Sequence, residues 1–230
     1  MAPYRLFIAN RNYSSWSLRP WVLMRTLAIA FDEDMRWFAP GSNRDAFRAF
    51  APNGTVPCLH DGPTVVWDSL AIVEYLAERH SAVWPADAAA RTWARCAAAE
   101  MHGGFSALRT ICGMSCGVRV RLHAMPAALA QDIVRIDEVW CEGLRRFGGP
   151  FLAGPSFSAA DAFFAPVAFR VRSYGLALNP PALAYAGRLL ALPAMREWDA
   201  AALGETQRDP DHEADVLAAG TIIEDLRAQA

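Results

Sequence analysis

Residues 4–31 read YRLFIANRNYSSWSLRPWVLMRTLAIAF. The apolar run over 4–9 has the length and composition of a buried strand. Over 16–30, Leu18, Val22, Leu23, Leu27 and Ala28 recur at helical spacing and predict a helix. Between them lie two adjacent serines, Ser14 and Ser15, followed by Trp16. A serine at the head of a helix is a natural N-cap. The same place collects free backbone N–H groups and the positive end of the helix dipole, so it also favours an anion.

The pattern continues outward as a small α/β unit. MRWFA (35–39) predicts a second strand, and SNRDAFRAF (42–50) a short helix capped by Ser42 or Asn43. VPCLH (56–60) and TVVW (64–67) read as a hairpin turning at Asp61-Gly62. SLAIVEYLAERH (69–80) is an amphipathic helix with Leu70, Ile72, Val73, Leu76 and Ala77 on its apolar stripe. Beyond it the composition changes. SAVWPADAAAR (81–91) reads as a linker, and no convincing strand follows. Helical patterns cover 87–111, 127–147, 159–173, 182–191 and 194–203, with an irregular stretch at 111–126 and a loop at 148–158. The polar tail 204–215 is expected to be poorly ordered, and 216–230 to form a last helix or a mobile end. The chain therefore divides into an α/β domain (1–80), a linker (81–90) and an all-α domain (91–230).

Bulk properties narrow the function. A formal charge of −2 and a pI near 6.2 argue against nucleic-acid binding. No run of about 18 uncharged apolar residues predicts a membrane span, and the start lacks an export signal, so a cytoplasmic protein is expected. The 5 cysteines are an odd count and suit reduced thiols. Cys112 and Cys116 sit at i, i+4 without a histidine pair, so no metal is expected there.

Three motifs together resemble the cytosolic glutathione transferases, whose architecture is a thioredoxin-like N-terminal domain followed by an all-α domain. The turn Ser14-Ser15-Trp16-Ser17-Leu18-Arg19 is similar to the Ser-Ser-Cys-x-x-Arg turn of the zeta class. Val56-Pro57 stands where the family has a cis-proline. Asp68-Ser69, eleven residues later, completes this second motif at the head of the helix after the hairpin, and the third, Ser158-Ala159-Ala160-Asp161, opens a helix of the second domain. The last has the form of a capping box, so it is assigned to folding. Pro166 within that helix is taken as a tolerated kink.

The resemblance implies glutathione as co-substrate, with no metal. The backbone of Val56, turned outward before Pro57, would pair with the cysteinyl unit like an added strand. Ser69 would receive the γ-glutamyl carboxylate at the helix N-terminus, and Asp68 would face the ammonium group. The Ser14 hydroxyl, with Ser15 as the close alternative, would stabilise the thiolate, which is the reactive nucleophile. Tyr4 and Tyr13 rank behind them as hydroxyl donors. Trp16 replaces the zeta-class cysteine, which weakens a maleylacetoacetate-isomerase reading. Arg19 is expected to pair with a nearby acid. Arg44, Arg11 or His60 would hold the glycyl carboxylate. Met101, Phe105, Arg109 and Met114 are candidates to line the second-substrate pocket, although such a stripe more often packs a core, and Arg172 is a candidate to meet an anionic electrophile. The resulting expectation is a homodimeric glutathione transferase acting on a small hydrophobic electrophile. Its rivals are a zeta-like isomerase and a non-catalytic regulator of the same fold.

Overall fold

The computed structural model describes residues 4–228. The chain opens with β1 (Tyr4–Ala9), α1 (Ser15–Thr26), β2 (Phe31–Arg36), α2 (Arg44–Phe47), β3 (Cys58–Asp61), β4 (Thr64–Val66) and α3 (Ser69–Ala77). The four strands form one mixed sheet in the order β2-β1-β3-β4, with β1 parallel to β2 and antiparallel to β3. Alternation along β1 serves both faces. Leu6 and Ile8 enter the main core with Leu18, Val22, Ile72 and Val73 of the two covering helices, whereas Phe7 joins Ala51 and Cys58 in a smaller cluster.

Two details of the N-terminal domain differ from the sequence reading. β2 lies at 31–36, because Phe31 pairs with Tyr4 and buries itself, while its remaining polar residues edge the sheet. The hairpin turn is Gly62-Pro63, since Asp61 still pairs with Thr64, and Gly62 takes φ +55° as a two-residue hairpin requires.

The second domain contains α4 (Ala88–Gly103), α5 (Ser106–Ile111), β5 (Val118–Leu122), α6 (Ala127–Phe147), α7 (Ala159–Tyr174), α8 (Pro180–Leu190), α9 (Pro193–Gly204), α10 (Pro210–Ala219) and β6 (Gly220–Asp225). The single helix expected over 87–111 is split. Gly104 leaves the helical path and Phe105 adopts φ +53°, so α5 starts afresh. α7 is the central post: every residue except Arg172 is buried, and it runs through Pro166 without a break. It packs against α1, α4 and α8, joining the two domains.

The largest departure is in the tail. The region expected to lack strands and order instead forms α10 and β6, and β6 pairs antiparallel with β5. Residues 229–230 lie outside the described residues. Asp209 caps α10 through His212 N–H at 3.2 Å, and Pro210 begins it. Arg227, 7% exposed, then binds Glu213 at 2.5 and 3.0 Å and Asp225 at 2.7 Å, while Tyr13 donates to Glu213 at 2.6 Å. These part-buried, charge-assisted bonds offset the entropy of ordering a polar tail. Arg227→Ala is expected to speed amide exchange across residues 210–228, leaving β1 and β3 amides unchanged in the same hydrogen-exchange experiment.

Among the described residues no helix is long and apolar enough to cross a membrane.

Candidate functional site

A cleft of about 610 Å³ lies between the domains, at the N-terminus of α1. Its size suits a small-molecule ligand, for which pockets span roughly 300–1,000 Å³. One wall is Ser14, Ser15 and Trp16 of the serine turn. Arg44 and Val56 lie on the N-terminal domain's side, and Arg109, Met114 and Arg170 on the helical side.

The serine hydroxyls are not spent on capping. Ser14 is the N-cap residue of α1, but its side chain makes no cap hydrogen bond. Its hydroxyl shares a 2.7 Å bond with Ser17, whose oxygen accepts the Ala9 N–H at 3.3 Å. Ser14 is the donor in that bond, so its proton reaches a ligand only by turning away from Ser17, whose own proton can then take the bond over. Ser15 accepts from Arg170 Nη2 at 3.4 Å, so its proton is also available. Both serines are buried, at 5% and 7% exposure, where a donor aimed at an anion is least diluted by water.

The two tyrosine alternatives do not compete for this role. Tyr13 lines the cleft, but its hydroxyl donates to Glu213, and burial, the first cause, pushes its pKa up. Tyr4 sits at the far end of β1, with its hydroxyl 3.3 Å from His80.

The residues expected to hold the peptide divide into two groups. The Val56–Pro57 bond is cis, and Val56 lines the cleft. Arg44 also lines it, and Gly54 explains how it fits: with φ +69°, a Cβ there would lie 2.7 Å from both the Arg44 carbonyl and its side chain. Pro57, Asp68 and Ser69 are not part of the cleft wall. Asp68 connects to it through His102, whose Nε2 lies 3.4 Å from the Asp68 carboxylate and whose ring Trp16 meets edge-on at 5.2 Å. Asp68 caps α3 through Leu70 N–H at 3.0 Å and keeps a side chain 48% exposed. Ser69 is fully buried, and its Oγ has no hydrogen-bond partner among the described residues. An unpaired buried hydroxyl is costly, and Ser69 Oγ must be uncovered before a ligand can complete it.

Several expectations are corrected. Met101, at 0% exposure, and Phe105, at 6%, pack inside the core and do not face the cleft. Arg11 pairs with Glu33 and Glu205, and His60 lies 2.8 Å from the Phe50 carbonyl, so neither is free for a carboxylate. Arg172 is held by both Asp199 oxygens at 2.7 Å, away from the cleft. Arg19 has no acidic partner within ion-pair distance among the described residues. Its guanidinium stacks over Trp16 at 4.0 Å and Phe163 at 5.1 Å, leaving Nε and Nη1 unpaired. Burial, then Arg170 and Arg109, lowers its pKa to about 9, so it remains a cation at neutral pH.

Arg170 was not anticipated, nor were the cleft residues on α10, His212 and Asp215. Two positions along a helix turn about 200°, so Arg170 and Arg172 face opposite ways. In a helix buried on all sides, no apolar stripe indicates which of the two looks into the cleft. His212 and Asp215 come from the tail whose order the sequence did not reveal.

Residues 13–79 match the family model described as glutathione S-transferase, N-terminal domain. Over 86–94% of the chain the fold is that of solved glutathione transferases. A theta-class glutathione S-transferase from Xanthomonas axonopodis pv. citri, solved with glutathione bound, is 24% identical, with a TM-score of 0.64 over 86% of this chain and 97% of that one. A tau-class glutathione S-transferase from mango, Mangifera indica, is 20% identical with a TM-score of 0.67, over 94% of this chain and 96% of the other. A glutathione transferase homologue from Burkholderia, with bound glutathione, is 20% identical with a TM-score of 0.63, covering 87% and 97%. No curated protein sequence matches the chain. The family match thus concerns the N-terminal domain, and the solved structures show the shared fold. They do not single out the zeta class.

Proposed function

We propose that the protein is a glutathione-dependent transferase whose serine turn stabilises the glutathione thiolate. The observation that carries this reading is the placement of two buried hydroxyls at the N-terminus of α1 in a cleft shared with Val56, the Ser15 proton without an acceptor among the described residues and the Ser14 proton on Ser17, from which it can turn to a ligand. A hydroxyl aimed at sulfur favours the thiolate over the thiol, and the helix N-terminus adds to it. Ser14 is the primary donor, backed by Ser17, and Ser15 is the second. The thiolate attacks an electrophilic carbon, forming the S–C bond, and the leaving group departs with its electron pair. Val56 orients the cysteinyl unit, Ser69 and Asp68 the γ-glutamyl end, and Arg44 the glycyl carboxylate. A small hydrophobic electrophile would lie against Trp16 and Met114. The working unit is expected to be a homodimer in the cytoplasm. A zeta-like isomerisation remains the second reading, motivated by the serine pair and opposed by Trp16.

Ser69→Ala separates ligand binding from folding. It removes an unpaired buried hydroxyl, so thermal stability is expected to hold or rise slightly. The KM for glutathione is expected to rise roughly tenfold, the effect of one hydrogen bond to a charged group. An unchanged KM would remove Ser69 from the binding site.

A further inference from the structure

The helical wall of the cleft carries cations without counter-charges. Arg170 is 3% exposed and lies on α7. Its Nε donates to the Cys112 carbonyl at 2.8 Å, Nη1 to the Pro166 carbonyl at 3.3 Å and Nη2 to Ser15 at 3.4 Å. Arg109, on α5 and half-buried, donates only from Nη1, to the His102 carbonyl at 3.0 Å. Neither arginine, nor Arg19 behind Trp16, has a carboxylate within ion-pair distance among the described residues. This contrasts with Arg172, which has one, and with Arg11 and Arg227, which have two each. Arg109 lies 5.1 Å over the Trp16 ring, on the face of the cleft that Arg170 also lines. Asp215 lines the same cleft but forms no ion pair with either.

Burying cations without a partner is expensive. Carbonyls satisfy some of the donors, yet carry no neutralising charge. Among the described residues Arg109 Nε and Nη2 have no partners, and they lie in the planar arrangement that grips a carboxylate with two parallel bonds. The surrounding wall is apolar and aromatic: Trp16, Phe38 and Met114.

We infer that Arg109 and Arg170 form an anion site in the second-substrate part of the cleft, and that the electrophile carries a carboxylate on an apolar, aromatic-sized body. This rests on the transferase reading and refines its electrophile from merely hydrophobic to acidic. Arg109 makes the contact. Arg170, tied to Ser15, sets the position of the bound anion relative to the serine turn.

The test uses 4-(chloromethyl)benzoate and its neutral amide, with glutathione as the nucleophile. In either, sulfur bonds to the benzylic carbon and chloride leaves with the electron pair. The wild type is expected to prefer the acid. In Arg109→Gln the acid-to-amide ratio of kcat/KM is expected to fall at least roughly tenfold, and Arg109→Lys to restore part of it. Titration calorimetry with unreactive 4-methylbenzoate on glutathione-free protein supplies a readout independent of turnover. Circular dichroism checks that each variant is folded. Benzoate binding that depends on Arg109, with no turnover of either electrophile, upholds the anion site and sinks the transferase reading. Turnover of both electrophiles at one ratio in wild type and variant, without benzoate binding, overturns the anion site alone. If Arg109→Gln moves the pH of thiolate formation and leaves the ratio unchanged, the arginines serve the thiol and the inference is wrong.

Discussion

Replacing Asp161 by alanine is expected to remove about 3–5 kcal/mol of stability, the cost of stranding several buried donors at once. Asp161 is fully buried at the head of α7. Its Oδ1 accepts from Leu152 N–H at 3.0 Å and Tyr185 hydroxyl at 2.8 Å, and its Oδ2 from Ser158 N–H at 2.9 Å and Ser158 Oγ at 3.1 Å. Burial raises the carboxyl's pKa, while the bonds from Leu152, Tyr185 and Ser158 pull it back. One side chain thus ties the 148–158 loop, α7 and α8 together. Alanine would leave four donors unpaired around the head of a helix that joins both domains. Urea unfolding measures the loss. A change below about 1 kcal/mol would show that water or rearrangement satisfies those donors and that Asp161 is no anchor.

Ser14→Ala is expected to lower kcat/KM for conjugation by about 10²-fold, as removal of one preorganised donor to a developing or resident anion does. The KM for glutathione is expected to move far less, because Val56, Ser69 and Arg44 remain. Stability should change little, since the Ser14 hydroxyl does not cap α1. Ser15→Ala should lose less activity if Ser14 is the primary donor. The reverse order would move the role to Ser15, whose oxygen already accepts from Arg170.

The sequence made most of the N-terminal domain legible, because β1, α1 and α3 carried their own periodicity and the hairpin its glycine, whereas the polar edge strand β2 was expected four residues too late. The serine turn was legible for the same reason: it sits where strand period gives way to helix period. Asp161 announced itself through its capping-box spacing. The tail was not legible, because its order comes from Arg227, Glu213 and Tyr13, distant partners that leave no local signature. The second-substrate wall was only partly legible. Met101 and Phe105 have the composition of either a pocket or a core, and the packing of α4 and α5 decides for the core. Arg19 looked like half of an ion pair, yet stacking on Trp16 takes the place of an acid. The choice between Arg170 and Arg172 depended on the rotation of α7, which a uniformly buried helix does not reveal.

The most direct measurement is an ultraviolet titration of the thiolate of glutathione bound to the wild-type protein and to Ser14→Ala. An ordinary cysteine thiol titrates near 8.5. In the wild type, half-formation of the bound thiolate is expected at least about one pH unit below that of free glutathione, the equivalent of about 1.4 kcal/mol from the serine turn. In Ser14→Ala it should return most of the way toward the free value. A bound thiol that titrates like free glutathione in the wild type, or a wild type that does not bind glutathione, would contradict the proposed chemistry of the serine turn.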